Sequence, residues 1–145
     1  MLFRSELLHG ARRPLIWAGG GVVLNDASAQ LTAVAEHLQA GVITTRSGKG
    51  AIDDRHPLSI GTMWVNKRLR PILDDADAIL AVGTHFMASG VAADTPVVHL
   101  DVDPAEIGLR HPNSTPVVGD AAPTLAALLA ALQELGDAQI GRAHV

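Results

Sequence analysis

The chain has 145 residues, 48% hydrophobic and 18% charged, and its 11 basic against 15 acidic residues give a formal net charge of −4. That is one domain's length, with enough apolar content to bury roughly two-thirds of the unfolded chain's surface, which excludes a disordered tail. No apolar run approaches the roughly 20 residues of a membrane span, no basic stripe interleaves with aromatics for nucleic acid, and the absence of cysteine excludes disulfides and thiolate chemistry in this chain.

The two ends read as something other than gene sequence. Ile140-Gly141-Arg142-Ala143-His144-Val145 can be read as the translation of ATCGGAAGAGCACACGTC, a string in a widely used short-read sequencing adapter. Leu2-Phe3-Arg4-Ser5 matches CTCTTCCGATCT, the end of the partner adapter. Together they predict adapter-derived flanks at residues 1–5 and 140–145, with biological sequence at 6–139 cut from a longer gene.

In chain order, Pro14-Leu15-Ile16-Trp17-Ala18 reads as a buried strand closed by a tight Gly19-Gly20-Gly21 turn. Leu31, Val34, Ala35 and Leu38 recur at helical spacing, with Asn25, Asp26 or Ser28 as N-cap and Gly41 as the stop. The β-branched run Val42-Ile43-Thr44-Thr45 predicts a second strand, and 46–60 predicts loop. A helix is expected over about 66–75 despite Pro71, then strands at 78–82 and 96–102. Asp103-Pro104-Ala105-Glu106 has the form of a capped helix start. Pro116-Val117-Val118 predicts a last strand, and Asp120 caps a final helix striped by Leu125, Leu128, Leu129 and Leu132. Strands apolar on both faces, alternating with helices, predict an α/β fold: a doubly wound, mostly parallel sheet in a Rossmann-like three-layer sandwich.

The glycine turn stands where a phosphate-cradling loop would stand, yet a tight turn explains the same residues. It is not the dinucleotide fingerprint, because position 24 is Leu and the second strand ends in Thr44-Thr45-Arg46 without a carboxylate. Gly48-Lys49-Gly50 fails as a P-loop, since position 43 is Ile and position 50 is Gly; Lys49 reads as a solvated or interface lysine. Asp101 is suited to accept from a ribose or an adenine amine, whereas Asp103 and Asp120 read as caps. His99 and Asp101 share a strand face, but two ligands make no metal site, and no nucleophilic triad or elbow is present.

The segments at 12–22 (RRPLIWAGGGV), 41–61 (GVITTRSGKGAIDDRHPLSIG), 73–86 (LDDADAILAVGTHF), 97–108 (VVHLDVDPAEIG) and 117–125 (VVGDAAPTL), in that order, resemble the central domain of the thiamine-diphosphate-dependent enzyme family that includes acetolactate synthase, benzoylformate decarboxylase and pyruvate oxidase. The resemblance implies a cytoplasmic parent enzyme of three domains that forms or cleaves a carbon–carbon bond beside the carbonyl of a 2-keto acid. Its flanking domains in the same chain would hold thiamine diphosphate and Mg2+, and the parent would be a homo-oligomer with neither nucleic-acid nor membrane partner. Gly119-Asp120 is not the family's metal motif, because Ala121 stands at the third position. No catalytic or metal residue is therefore expected here, and the isolated chain is expected to be inactive.

Where members bind FAD on this domain, the resemblance places the site on Gly19, Gly20, Gly21, Thr44, Thr45, Arg46, Gly61, Thr62, Met63, Gly83, Thr84, Asp101, Val102, Gly119 and Asp120. The acetolactate synthases carry an acidic and arginine-containing stretch where this chain has Gly83-Thr84-His85-Phe86-Met87-Ala88-Ser89-Gly90. Other members keep the domain with ADP or with no nucleotide, so FAD, ADP and an empty scaffold all stay open. Two readings from other classes also stand: a stand-alone FAD- or ADP-binding module without catalysis, and a structural packing domain.

Overall fold

A computed structural model describes residues 2–62, 67–87 and 89–137. Among these residues six strands form one sheet in the order β3-β2-β1-β4-β5-β6, and every neighbouring pair is parallel. They are β1 (Pro14–Ala18), β2 (Gly41–Thr44), β3 (Ser59–Thr62), β4 (Ala78–Val82), β5 (Val97–Asp101) and β6 (Ser114–Val118). The chain winds outward from β1 to β3, then returns to lay β4 against the other side of β1, with Ala18 opposite Val82. That reversal makes the β1–β4 boundary the switch point, where an open parallel sheet leaves a crevice at its carboxyl ends.

The helices are α1 (Leu2–Gly10), α2 (Gly20–Leu24), α3 (Ser28–Leu38), α4 (Leu69–Asp75) and α5 (Ala121–Leu135). Alternation along the buried strands divides the core. Ile16, Ala18, Val42, Leu80, Val82, Val98 and Leu100 pack on one face against α1, α2, α3 and α5, where Leu31, Val34, Leu38, Leu125, Leu128 and Leu132 supply the stripe. Leu129 is only partly buried at its margin. Leu15, Trp17, Ile43, Ile79, Ala81 and Val97 face the other way, onto α4 and Phe86. Each fully buried Leu or Ile contributes about 1.5–3 kcal/mol from burial. Among the described residues the two faces are thus unequal: four helices cover one, while a seven-residue helix and the loop after β4 cover the other.

Several expectations need correction. Ala27, not Asn25, Asp26 or Ser28, is the N-cap of α3, and the Ser28 hydroxyl donates instead to the Ala51 carbonyl. That helix ends at Gln39 in the left-handed conformation, before Gly41, which opens β2. Helix α4 begins at Leu69, so Pro71 falls in its first turn, where its missing N–H is harmless. No helix follows Asp103; the segment forms turns, because the Asp103 carboxylate takes the Ala105 N–H in an Asx turn. Glu106 leaves the would-be capping box to pair with His85 and Arg110. Asp120 holds the N-cap position of α5 without a side-chain bond, its carbonyl receiving the Thr124 N–H. Helices α1 and α2 and strand β3 were not expected. Residues 2–5 of the proposed amino-terminal flank lie in α1, where Ser5 is buried and Arg4 Nε donates to the Pro116 carbonyl, while 140–145 lie outside the described residues.

Candidate functional site

The first, fourth and fifth strands end in residues that carry the sheet's hydrogen bonding on into their turns. The Gly19 N–H donates to the Val82 carbonyl, the Gly21 N–H to the Gly83 carbonyl and the Gly83 N–H to the Leu100 carbonyl, all at 2.9 Å. A β-carbon on Gly21 would stand 2.7 Å from the Gly83 α-carbon, and one on Gly83 (φ +58) would meet the Gly21 α-carbon at the same distance. Backbone therefore lies directly on backbone where the two turns cross, which only glycine permits.

A cleft opens on each side of that crossing. The larger, about 410 Å3, is lined by Gly20, Gly21, Thr45, Arg46, Gly83 and Thr84 from the expected set. Trp17, Leu24, Ser47, His85, Phe86 and Met87 line it too, and sequence reasoning did not place them there. The smaller, about 180 Å3, is lined by Gly21, Gly83, Asp101, Val102 and Gly119 together with Asn25, His85, Leu100 and Ala121. The clefts share Gly21, Gly83 and His85, so the crossing glycines form their common wall.

Of the remaining expected residues, Gly19, Thr44, Gly61, Thr62 and Asp120 line neither cleft. Gly19 is packed under Gly83 and Thr84. Thr44 and Thr62 join β2 to β3 through their hydroxyls at 3.1 Å, beside Gly61. Asp120 is exposed at the head of α5, and Met63 lies outside the described residues. Among the missed residues, Asn25 donates from Nδ2 to the Gly21 carbonyl at 2.7 Å, a short-range bond that no motif announces.

Polar contacts fix the loop that follows Gly83. Thr84 Oγ1 accepts the Phe86 N–H at 3.0 Å and turns Phe86 inward at φ +56, so its ring meets Trp17 edge to face with centroids 5.1 Å apart. His85 Nδ1 lies 2.8 Å from Glu106 Oε2, and Arg110 Nη1 donates to that same oxygen at 2.7 Å and to the His85 carbonyl at 3.1 Å. Hydrogen bonds from His85, then Arg110, hold the Glu106 carboxyl below its ordinary value of 4.5. Lys49 is exposed, in keeping with the solvated reading, and pairs with Asp54 at 2.9 Å. Among the described residues no group of three His, Cys, Asp or Glu side chains is placed to hold a metal ion, and no helix is long and apolar enough to cross a membrane.

His99 lies beneath this loop, 1% exposed, with Nε2 at 2.9 Å from the Thr84 carbonyl. Burial lowers its pKa from the ordinary 6.5, against the opposing pull of that carbonyl and of Asp101 and Glu106. As Nε2 must donate to a carbonyl, the neutral ring carries its proton there. The unfolded chain binds a proton at His99 that the fold resists, so stability is full above about pH 6.5 and falls as the pH drops below it. Glu106, titrating below 4.5, leaves that window clear. His99→Gln, which keeps an N–H donor without a basic site, is expected to flatten the loss of urea midpoint between about pH 7.5 and pH 5.5; an unchanged slope would place the effect elsewhere.

Comparison with known proteins agrees with this architecture. The family described as "Thiamine pyrophosphate enzyme, central domain" matches residues 5–128. The chain is 37% identical over 136 residues to a probable acetolactate synthase large subunit of Methanocaldococcus jannaschii, covering 88% of this chain and 23% of that protein. It is 33% identical over 141 residues to an acetolactate synthase of Mycobacterium avium, covering 92% of this chain and 23% of that one. An X-ray structure of a provisionally assigned thiamin diphosphate-dependent enzyme from Mycobacterium smegmatis superposes with a TM-score of 0.76 at 20% identity, over 99% of this chain and 28% of that one. The chain thus spans less than a quarter of the length of these two curated relatives.

Proposed function

Because the chain belongs to the thiamine pyrophosphate enzyme family as a central domain, we propose that it is the middle domain of a cytoplasmic, acetolactate synthase-like 2-keto-acid synthase or lyase. Residues 6–139 are its biological part, flanked in the parent by domains of the same chain, and the parent is a homo-oligomer. The observation that supports this most is coverage: relatives match nearly all of this chain with less than a quarter of their own length.

Thiamine diphosphate supplies the parent's chemistry by stabilising a carbanion beside the substrate carbonyl. The residues here do not fit that cofactor or its Mg2+. Asp120, the carboxylate nearest in sequence to a metal motif, heads α5 in place of joining a ligand cluster, and no such cluster stands among the described residues. We infer that they serve a nucleotide instead. The clefts at the switch point combine hydroxyls, a guanidinium and a carboxylate with aromatic and aliphatic walls, the composition of a small-molecule site. We assign the domain a scaffold role and FAD or ADP binding there.

Recovering the DNA on either side tests the reading. The expected result is an open frame running both ways into cofactor-binding domains, with the 145-residue chain alone inactive on pyruvate, thiamine diphosphate and Mg2+. Turnover by the chain alone, or native stop codons closing the frame, would overturn it and leave a stand-alone FAD- or ADP-binding module as the alternative.

A further inference from the structure

Thr84–Met87 belongs to neither helix nor strand, and side chains from elsewhere hold it down. From below, the buried His99 donates from Nε2 to the Thr84 carbonyl at 2.9 Å. From the solvent side, Arg110 Nη1 donates to the His85 carbonyl at 3.1 Å, and His85 Nδ1 lies against Glu106. The far end of the same β4–β5 connection is pinned separately. There Asn113 Nδ2 donates to the Asp94 carbonyl at 2.9 Å and His111 Nε2 to the Thr95 carbonyl at 2.7 Å. His99 is therefore the buried pin of the near end, on the face of the sheet with the thinner cover.

Keeping the segment closed has costs. Phe86 holds a left-handed backbone at φ +56, which a bulky side chain seldom adopts. Trp17 is buried beside it with an indole Nε1 that has no acceptor, and an unmatched buried donor opposes the closed state. Against these stand the hydrogen bonds above and the packing of the Phe86 ring on Trp17, His99 and His111. A segment so balanced, with no helix or strand of its own, can open without the rest of the fold.

We propose that Thr84–Met87 is an acid-released strap: when His99 takes up a proton the strap lifts, while the sheet and the helices on its other face stay folded. All four of its residues line the larger cleft, so lifting withdraws one wall of that cleft and lets water reach His99 and the Trp17 indole. Burial opposes the charged form of His99 more strongly than the Thr84 carbonyl, Asp101 and Glu106 favour it. His85 adds to the opposition, and His111 shares the Phe86 ring with His99. Opening hydrates the imidazole at less cost than unfolding the domain. Because the closed form binds the proton more weakly than the open form, opening grows as the pH falls below about 6.5. Between about pH 7.5 and about pH 5.5 one such group can raise the open population by at most about tenfold.

The test is amide hydrogen exchange of the 145-residue chain, read residue by residue by NMR at those two pH values. Protection factors remove the intrinsic pH dependence of exchange. The Phe86 N–H, held by Thr84 Oγ1, reports the strap, and the amide of Leu128, buried in α5, reports the fold. Phe86 is expected to be at least about tenfold less protected than Leu128, with exchange insensitive to low urea, and to lose a further threefold to tenfold on acidification. His99→Gln keeps an N–H donor for the Thr84 carbonyl, so it is expected to open to the same extent at both pH values. His85→Gln removes the ionisable group of the strap itself and is expected to keep the acid response. Circular dichroism melts establish that each variant folds, and should His99→Gln unfold, His85→Gln decides alone. Equal protection of Phe86 and Leu128 would overturn the proposal, since global unfolding alone would then release the segment. An acid response that survives in His99→Gln or vanishes in His85→Gln would overturn it as well.

Discussion

Gly83→Ala is expected to destabilise the fold by about 3 kcal/mol or more, combining a left-handed backbone cost of roughly 1–2 kcal/mol with a steric clash. The clash is with backbone: the new methyl would stand 2.7 Å from the Gly21 α-carbon and 3.0 Å from its nitrogen and carbonyl carbon. No rotamer change relieves such a contact, so the β4 turn must lift off the β1 turn and stretch the Gly21-to-Gly83 hydrogen bond. A control separates the two contributions. Gly108 also has positive φ, at +75, but the nearest atoms to its would-be β-carbon lie at ordinary contact distances of 3.9 and 4.0 Å, so Gly108→Ala carries the left-handed backbone cost without the clash. Urea denaturation of both variants measures the difference, and equal losses would mean that the crossing of the turns is not tightly packed. Because Gly83 and Gly21 wall both clefts, any nucleotide affinity is expected to fall with the stability.

That crossing also marks what the sequence could reveal. Strands β1, β2, β4 and β5 were legible because they are buried on both faces, which writes them as unbroken apolar runs. Strand β3 was not: Ser59–Thr62 is a polar edge strand, half-buried throughout, whose pairing register slips between Val42 and Ile43. Helix α2 was illegible for a different reason, since it opens on two glycines and its five residues hold their shape only through tertiary contacts. The signals at Asp103 and Glu106 were present but misleading, because pairing of Glu106 with the distant His85, and with Arg110 four residues on, outweighs a local cap. Strand-end residues such as Thr45, Gly83 and Asp101 could be placed at the clefts from topology alone. His85, Phe86 and Met87 could not, because only the Thr84 hydroxyl and the left-handed backbone at Phe86 decide which way that loop turns.

Phe86→Ala is expected to cost about 3 kcal/mol, toward the lower end for a buried aromatic because a loop can partly collapse into the space. Phe86 is 2% exposed, and its ring centroid lies 5.1 Å from that of Trp17, 6.1 Å from His99 and 5.8 Å from His111. Among the described residues, α4 and this loop are what cover that face, and no further helix stands ready to take the place of the ring. The sharper expectation concerns pH. His99 is held below 6.5 chiefly by burial, and Phe86 is part of what keeps water from it. Removing the ring lets the folded-state pKa rise back toward the unfolded value, so folding releases less of a proton at mildly acidic pH. The variant is therefore less stable at neutral pH but loses less on acidification, and its stability curve converges on that of the wild type as the pH falls below about 6.5. Phe86→Leu, which keeps most of the volume, is expected to cost about 1 kcal/mol and to retain the wild-type slope. Parallel curves for Phe86→Ala and wild type would show instead that the sheet and Thr84 shield His99 without help from the ring.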